Sequence, residues 1–223
     1  MRIGIFHGGA GETDNLRQTI QKAVHAEEDG FDEFWLPQTS AGPGFDALTV
    51  LSLAGTQTSR ISLGTGVVPI FTIHPLTLAK HALTAQIATG GRLTLGIGLS
   101  HRPAVEDVMG LSYENPAQRM AEYLYTLRPL LDDLNVDYSG RYYNVSGQIQ
   151  VTEARQVPVI IAALAPRMLR IAGGQADGTI TWMAGPKTIG NHVVPRINAA
   201  ANTAARPQPQ IYVGMPVAVT DDG

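Results

Sequence analysis

The chain contains no cysteine. That excludes disulfides, thiolate nucleophiles, iron–sulfur clusters and cysteine-ligated zinc. Charge is scarce too: Asp, Glu, Lys and Arg make up 16% of the residues, well below the usual quarter, so much of the chain should be covered rather than solvated. The net charge of −3 excludes a generally basic nucleic-acid binder. No apolar run approaches about 18 residues, so nothing is expected to span a membrane. The run Ile3-Gly4-Ile5-Phe6 behind Arg2 is too short for the core of a signal peptide. What survives these exclusions is a cytoplasmic enzyme.

What is present is alternation. Apolar β-like runs occur at Ile3–Phe6, Asp32–Pro37, Ile61–Val68, Leu93–Gly98, Val157–Ala163, Gly178–Met183 and Ile211–Val219. Helical periods separate them: Asp14–Asp29, Asp46–Thr58, a helix opening at His74-Pro75, Pro166–Ala176, and Pro186 to about Ala204. Pro75 and Pro166 suit a first helical turn, where the missing N–H has no partner to lose. Gly30 and Gly90-Gly91 stand where helices should stop. After the fourth strand the rhythm breaks. Asn115-Pro116 opens a long helix to about Asp132, with Pro129 a candidate kink. Val136–Val151 then reads as a hairpin around Ser139-Gly140, with Tyr138, Tyr142 and Tyr143 as packing residues.

Strands separated by helices predict right-handed βαβ units and a parallel sheet. Gly8-Gly9-Ala10-Gly11 does not have the dinucleotide-binding spacing. The expected fold is α/β, a TIM-type (β/α) barrel with an insertion after strand 4. Seven strands are visible and the eighth is missing from this chain. The 223 residues also fall short of the roughly 250 that a barrel needs. The expectation is therefore one barrel domain over 1–223, with a helix–hairpin insertion at about 103–152 and an incomplete C-terminus. A truncated chain, or a gap filled by a partner subunit, would explain it.

In a barrel the ligand meets the C-terminal ends of the strands. Here those tips are His7-Gly8, Pro37-Gln38, Gly66-Val67-Val68-Pro69, Ser100-His101-Arg102, Ala163-Leu164-Ala165, Trp182-Met183-Ala184 and Met215-Pro216. They are glycine, proline, small apolar groups and amides. His74 and His81 are seven apart, not the four apart of a helical zinc pair, and no metal is expected. There is no G-x-S-x-G elbow and no phosphate-binding P-loop. A pocket so lined suits a flat, largely apolar cofactor that brings its own reactivity.

Three stretches carry a resemblance: Gly30-Phe31-Asp32-Glu33-Phe34-Trp35-Leu36-Pro37-Gln38, Leu63-Gly64-Thr65-Gly66-Val67-Val68-Pro69, and Gly90-Gly91-Arg92-Leu93-Thr94-Leu95-Gly96-Ile97-Gly98. Ser139-Gly140 with Tyr143, Ala163 to Leu169, and Ala176-Asp177-Gly178 extend it. Their order and spacing resemble the luciferase-like monooxygenase superfamily, in particular its branch that uses the deazaflavin coenzyme F420. The resemblance implies an oxidoreductase moving a hydride between F420 and an organic small molecule, in a homodimer.

The resemblance also implies a non-prolyl cis peptide at a bulge in the third strand, here Gly66-Val67, supporting the cofactor ring with Val68 and Pro69. From the residues alone, that glycine reads rather as one in a tightly packed strand. Ala163, Leu164 and Ala165 would turn backbone N–H groups toward a phosphate at a helix N-terminus, with Arg167 adding charge; a plain strand-to-helix turn is the alternative. Trp182, Met183, Pro37 and Ser100 would line the same channel. His101 stands where related sugar-phosphate dehydrogenases place a glutamate base, so it is a candidate acid/base or a hydrogen-bond partner. Arg102 is a candidate for an acidic cofactor tail, a substrate anion or plain surface. Gln38 stands where those enzymes carry a histidine, and can orient but not titrate. With Ala184-Gly185-Pro186, it argues against a sugar phosphate. His7 would face substrate or cap its strand. The other readings are an FMN-dependent monooxygenase, a non-catalytic flavin-binding relative, and a cofactor-free aldose-type barrel.

Overall fold

The structure, a computed structural model, describes residues 1–8, 14–39 and 44–217. Gly9, Ala10 and Gly11, on which the dinucleotide spacing was judged, lie outside the described residues. So does the end of the last expected strand, at Val219.

Strand β1 (Gly4–Phe6) leads to helix α1 (Leu16–Glu28). Asn15 starts that helix with a reciprocal capping box: its side chain accepts the N–H of Gln18 at 3.0 Å, and the Gln18 side chain accepts the N–H of Asn15 at 2.9 Å. Then come β2 (Glu33–Leu36) and α2 (Ala47–Gly55), the latter capped by Asp46 on the N–H of Thr49. β3 (Ser62–Thr65) and β4 (Val68–Pro69) form one broken strand before α3 (Pro75–Ala88). β5 (Leu93–Gly98) is followed by a π-helical turn, Ala104–Val108, and by α4 (Pro116–Asp132). The hairpin β6 (Asn135–Ser139) and β7 (Asn144–Gln148) precedes β8 (Val159–Ala162), α5 (Pro166–Gln175) and β9 (Gly178–Trp182). The rest comprises α6 (Pro186–Thr188), a second π-helical turn at Ile189–Val193, α7 (Val194–Thr203) and β10 (Gln210–Gly214).

The main sheet is parallel throughout, in the order β1-β2-β3-β5-β8-β9-β10, with β4 paired to β5. It curls into a nearly closed barrel. Inward rings from its first two and last two strands meet: Phe6 of β1 and Trp182 of β9 lie 5.1 Å apart, and Trp35 of β2 and Tyr212 of β10 lie 4.7 Å apart.

Strand alternation divides the core in two. Ile5, Phe34, Leu36, Leu63, Leu95, Ile97, Val159 and Ile161 face outward into the helix layer. Phe6, Trp35, Val67, Ile160, Ala162, Ile180 and Tyr212 fill the lumen. The lumen has room for bulky groups because neighbouring strands carry glycine beside them. A Cβ on Gly64 would collide with the Trp35 ring, and one on Gly96 with the carbonyl of Thr65. At the N-terminal end of the barrel, Trp35 Nε1 donates to Glu33 at 2.9 Å, and Arg2 Nε lies 3.3 Å from the same carboxylate. That polar plug closes the floor.

The expected fold is present, with differences in detail. The third strand does not run unbroken to Val68, because the backbone breaks register at residues 66 and 67. The helix expected from Pro186 to Ala204 is divided by a π turn. The last strand ends at Gly214 among the described residues. The segment after β5 does leave the alternation, but α4 packs between α3 and α5 in the outer helix ring. Only the π turn and the hairpin stand outside the repeat. Glu122 of α4 seats that hairpin, accepting the N–H groups of Tyr142 at 2.7 Å and Tyr143 at 3.4 Å. Burial pushes the Glu122 carboxyl up, yet these donors and Gln118 hold it below the usual range.

Glu27 performs a similar task at the other end of the barrel. It accepts the N–H groups of Ser59, Arg60 and Ile61 at 2.9, 2.6 and 2.6 Å, tying α1 to the entry of β3. Burial raises its pKa, but the three N–H donors outweigh that and bring it from 4.5 to about 2. A lowered native pKa stabilises the fold above the unfolded value, and that stability is lost as pH falls through the native one. Glu27→Gln should therefore cost about 1–2 kcal/mol near pH 7. In urea unfolding across pH, the gap between variant and parent should close as pH falls from about 4.5 to about 2; a gap independent of pH would refute the assignment. Gly96→Ala should cost about 1–3 kcal/mol or more by overpacking, read as a lower urea midpoint.

Candidate active site

The mouth of the barrel is organised around a break in one strand. Gly64 pairs with Thr94, but Val68 pairs with Ile97. Four steps on β3–β4 thus face three on β5, which makes a bulge of one residue. The peptide bond between Gly66 and Val67 at this point is cis. The fully buried Thr65 hydroxyl mends the ladder: it donates to the Gly96 carbonyl and accepts the Gly96 N–H, both at 2.8 Å. Gly66 must lack a side chain here, since a Cβ would lie 2.5 Å from the Phe6 ring. The bulge directs Val67 into the lumen, over Gly96 and Gly98.

Around this bulge the strand tips expose apolar groups. Trp182 is 54% exposed, Met183 61% and Leu164 47%, at a position where a soluble protein gains by covering them. Ser100 and Met183 both hold left-handed backbone, with φ of 59° and 55°. Such conformations cost about 1–2 kcal/mol in residues other than glycine and concentrate at functional sites. At the edge of α5, Ala165 caps the helix with backbone only and Pro166 has no N–H. The N–H groups of Arg167 and Met168 are left without helical partners, which makes an anion-attracting end.

Comparison with known protein families matches residues 1–223 to luciferase-like monooxygenase. The chain belongs to this family. Similar curated proteins include 5,10-methylenetetrahydromethanopterin reductase of Methanolobus tindarius, 30% identical over 201 residues, which are 90% of this chain and 60% of that protein. Another is F420-dependent glucose-6-phosphate dehydrogenase of Microbacterium testaceum, 31% identical over 216 residues, 91% of this chain and 64% of that protein. Among solved structures, the coenzyme F420-dependent tetrahydromethanopterin reductase from Methanopyrus kandleri superposes with a TM-score of 0.78 at 27% identity, covering 96% of this chain and 64% of that one. The chain spans 60% of the length of the first of these relatives.

In this luciferase-like chain the candidate residues divide by position. Gly66, Val67, Val68 and Pro69 form the bulge. Ala163, Leu164, Ala165 and Arg167 form the strand-to-helix turn. Trp182 and Met183 stand on the next tip. Pro37 packs against Gly8, whose φ of 116° leaves no room for a Cβ beside the proline. Ser100, His101 and Arg102 lead into the first π turn, with the His101 ring exposed. Arg102 lies 3.2 Å from Glu106 and over the Tyr113 ring at 5.1 Å. Tyr113 in turn donates to the carbonyl of Ser100 at 3.3 Å.

Two candidates turn away from the lumen. Gln38 gives its Oε1 to the N–H of Ala47 at 2.7 Å, which holds the entry of α2. The His7 ring is buried against Phe34 at 5.8 Å, with Nε2 3.4 Å from Asp14, whose carboxylate also meets Lys22. Among the described residues no group of three or more His, Asp or Glu could hold a metal ion. A groove of about 480 Å³ lies apart from the tips, on the outer face between α5 and α7.

Sequence reasoning missed Thr65, Phe6, Tyr113 and Phe71. Tyr113 stacks on Phe71 at 5.4 Å, Arg119 lies over Phe71 and Tyr142, and Arg141 over Tyr142. This stack joins the barrel mouth to the hairpin. Its members are 71 residues apart at the extremes, so no local pattern announces it. Thr65 sits among strand residues and reads as filler. Thr65→Val keeps the shape but leaves buried Gly96 groups unpaired. It should cost about 2–3 kcal/mol in urea unfolding, while Thr65→Ser should retain most of the stability. Equal losses in the two variants would refute the role of the hydroxyl.

Proposed function

We propose that this chain is an oxidoreductase that holds the deazaflavin coenzyme F420 across its strand tips and passes a hydride between it and a small organic molecule. The observation that carries this reading is the bulge at Gly66-Val67, tied by Thr65 and flanked by exposed Trp182 and Met183. The names of two relatives support it: the glucose-6-phosphate dehydrogenase and the solved tetrahydromethanopterin reductase above are F420-dependent by name.

The residues present fit such a cofactor. Val67, Trp182 and Met183 offer an apolar surface to a flat ring. The free N–H groups at the start of α5, with Arg167 beside them, suit a phosphate. When bound, the deazaflavin supplies the hydride-transferring carbon. The protein supplies the rest: it orients the partners and excludes water. Val67 and the bulge hold one face. Leu164, Trp182 and Met183 cover apolar surface and exclude solvent at the rim. His101 stands exposed at the rim, where its imidazole is the candidate for passing a proton to or from substrate. Gln38 turns away from the lumen with its oxygen engaged on α2, so it is given no contact with cofactor or substrate. Ala184-Gly185-Pro186 brings no cation beyond the β9 tip, so a sugar phosphate is not the substrate we favour.

Titration of the protein with oxidised F420 and with FMN, read by fluorescence quenching, tests the proposal. We expect a micromolar dissociation constant for F420 and binding of FMN about tenfold weaker or less. A preference for FMN would overturn it in favour of a flavin-dependent monooxygenase. Tight F420 binding without hydride transfer to any electrophile would indicate a non-catalytic relative. His101→Ala should lower turnover about 10²-fold or more with cofactor affinity unchanged; unchanged turnover would remove His101 from the reaction.

A further inference from the structure

The segment after β9 has an irregularity that its sequence conceals. The π turn at Ile189–Val193 interrupts the helix between α6 and α7. A π turn closes its hydrogen bonds over one residue more than an α turn, so it rotates the following side chains by about 100° relative to a regular helix. His192 lies on this turn. Its Nε2 is 2.7 Å from the carbonyl oxygen of Leu164. A carbonyl only accepts, so Nε2 carries the proton and donates. Arg196 anchors the same turn, donating to the His192 carbonyl at 3.1 Å.

We propose that His192 is a positioning residue for the phosphate-binding end of the cofactor site, acting through the Leu164–Ala165 peptide. This rests on the reading above that a phosphate group meets residues 163–167. A trans peptide is planar, so the C=O of Leu164 and the N–H of Ala165 point in opposite directions. With the carbonyl drawn to His192, the Ala165 N–H is turned away from the π turn. It donates to no acceptor among the described residues. The free N–H groups of Arg167 and Met168 lie within the next three residues. His192 thus gives the end of α5 a third donor and fixes its direction. Without the imidazole, rotation about the bonds flanking that peptide releases the donor. The exposure of Leu164 shows that packing does not hold the peptide in its place.

The test compares cofactors with and without their phosphate: F420 against the phosphate-free deazaflavin chromophore, and FMN against riboflavin. Dissociation constants are measured for the parent protein, His192→Ala, His192→Gln and His192→Asn. The parent should bind each phosphorylated compound more tightly than its phosphate-free counterpart. His192→Ala should weaken the phosphorylated compounds about five- to twentyfold and leave the phosphate-free ones within about twofold. Gln places an amide N–H the same number of bonds from Cα, so His192→Gln should restore most of the affinity. Asn is one bond shorter and should behave like Ala. Equal weakening of both classes of compound, or no weakening of either, would overturn the role of His192. Should His192→Ala not fold, the contrast between Gln and Asn decides the question alone, and equal behaviour of those two would overturn the proposal. A parent protein that binds both classes equally would overturn the phosphate reading itself, and the role of His192 with it.

Discussion

In a narrow barrel, bulky side chains are seated where a nearby strand has no side chain of its own. That constraint governs this molecule. Trp35 lies over Gly64, Phe6 over Gly66, and Val67 over Gly96 and Gly98. Each pairing uses the absence of a Cβ on one strand to seat a bulky group from another. The register break at residues 66 and 67 belongs to the same arrangement: it turns Val67 inward at the height where two glycines leave space. Thr65 then supplies by its hydroxyl the ladder bonds that the break removes.

The two ends of the barrel differ in kind. The N-terminal end is closed by polar groups that find partners within the chain: Arg2 with Glu33, Glu33 with Trp35, and Glu27 with three N–H groups. Such interactions serve stability. The C-terminal end leaves Trp182 and Met183 more than half exposed and the N–H donors at the start of α5 free. Apolar surface and N–H donors left open at this end, with polar groups satisfied at the other, are what the proposed cofactor site rests on. The hairpin extends this end. Its link to the barrel runs through Glu122 and through the alternating stack of Arg119 and Arg141 with Phe71, Tyr113 and Tyr142.

Most of the elements were legible in the sequence because each has a local cause. The helix starts follow from Asn15 with Gln18, from Asp46, and from Pro75 and Pro166. The strands follow from apolar runs bounded by glycine and proline, and β5 has the expected limits, Leu93–Gly98. The tips followed from the barrel rule alone. What was not legible depends on contacts between distant residues. The π turn at Ile189–Val193 has the periodicity of an ordinary helix. Gln38 and His7 stand at tips, yet alternation turns their side chains to the helix layer, where Ala47, Phe34 and Asp14 meet them. Position along a strand is a local property; which face meets which neighbour is not.

The sequence by itself determined the alternation of strands and helices, the parallel sheet that such alternation requires, and the apolar, glycine-rich character of the tips. These follow from short-range periodicity and from the conformational limits of glycine and proline. Tertiary structure alone decided that Thr65 bridges the bulge to Gly96, that Glu122 seats the hairpin, and that His192 reaches back to Leu164. Each of those joins residues at least 20 positions apart. A hydrogen bond of that reach is made only once the sheet has curled and the helices have packed, so no local pattern of residues can specify it.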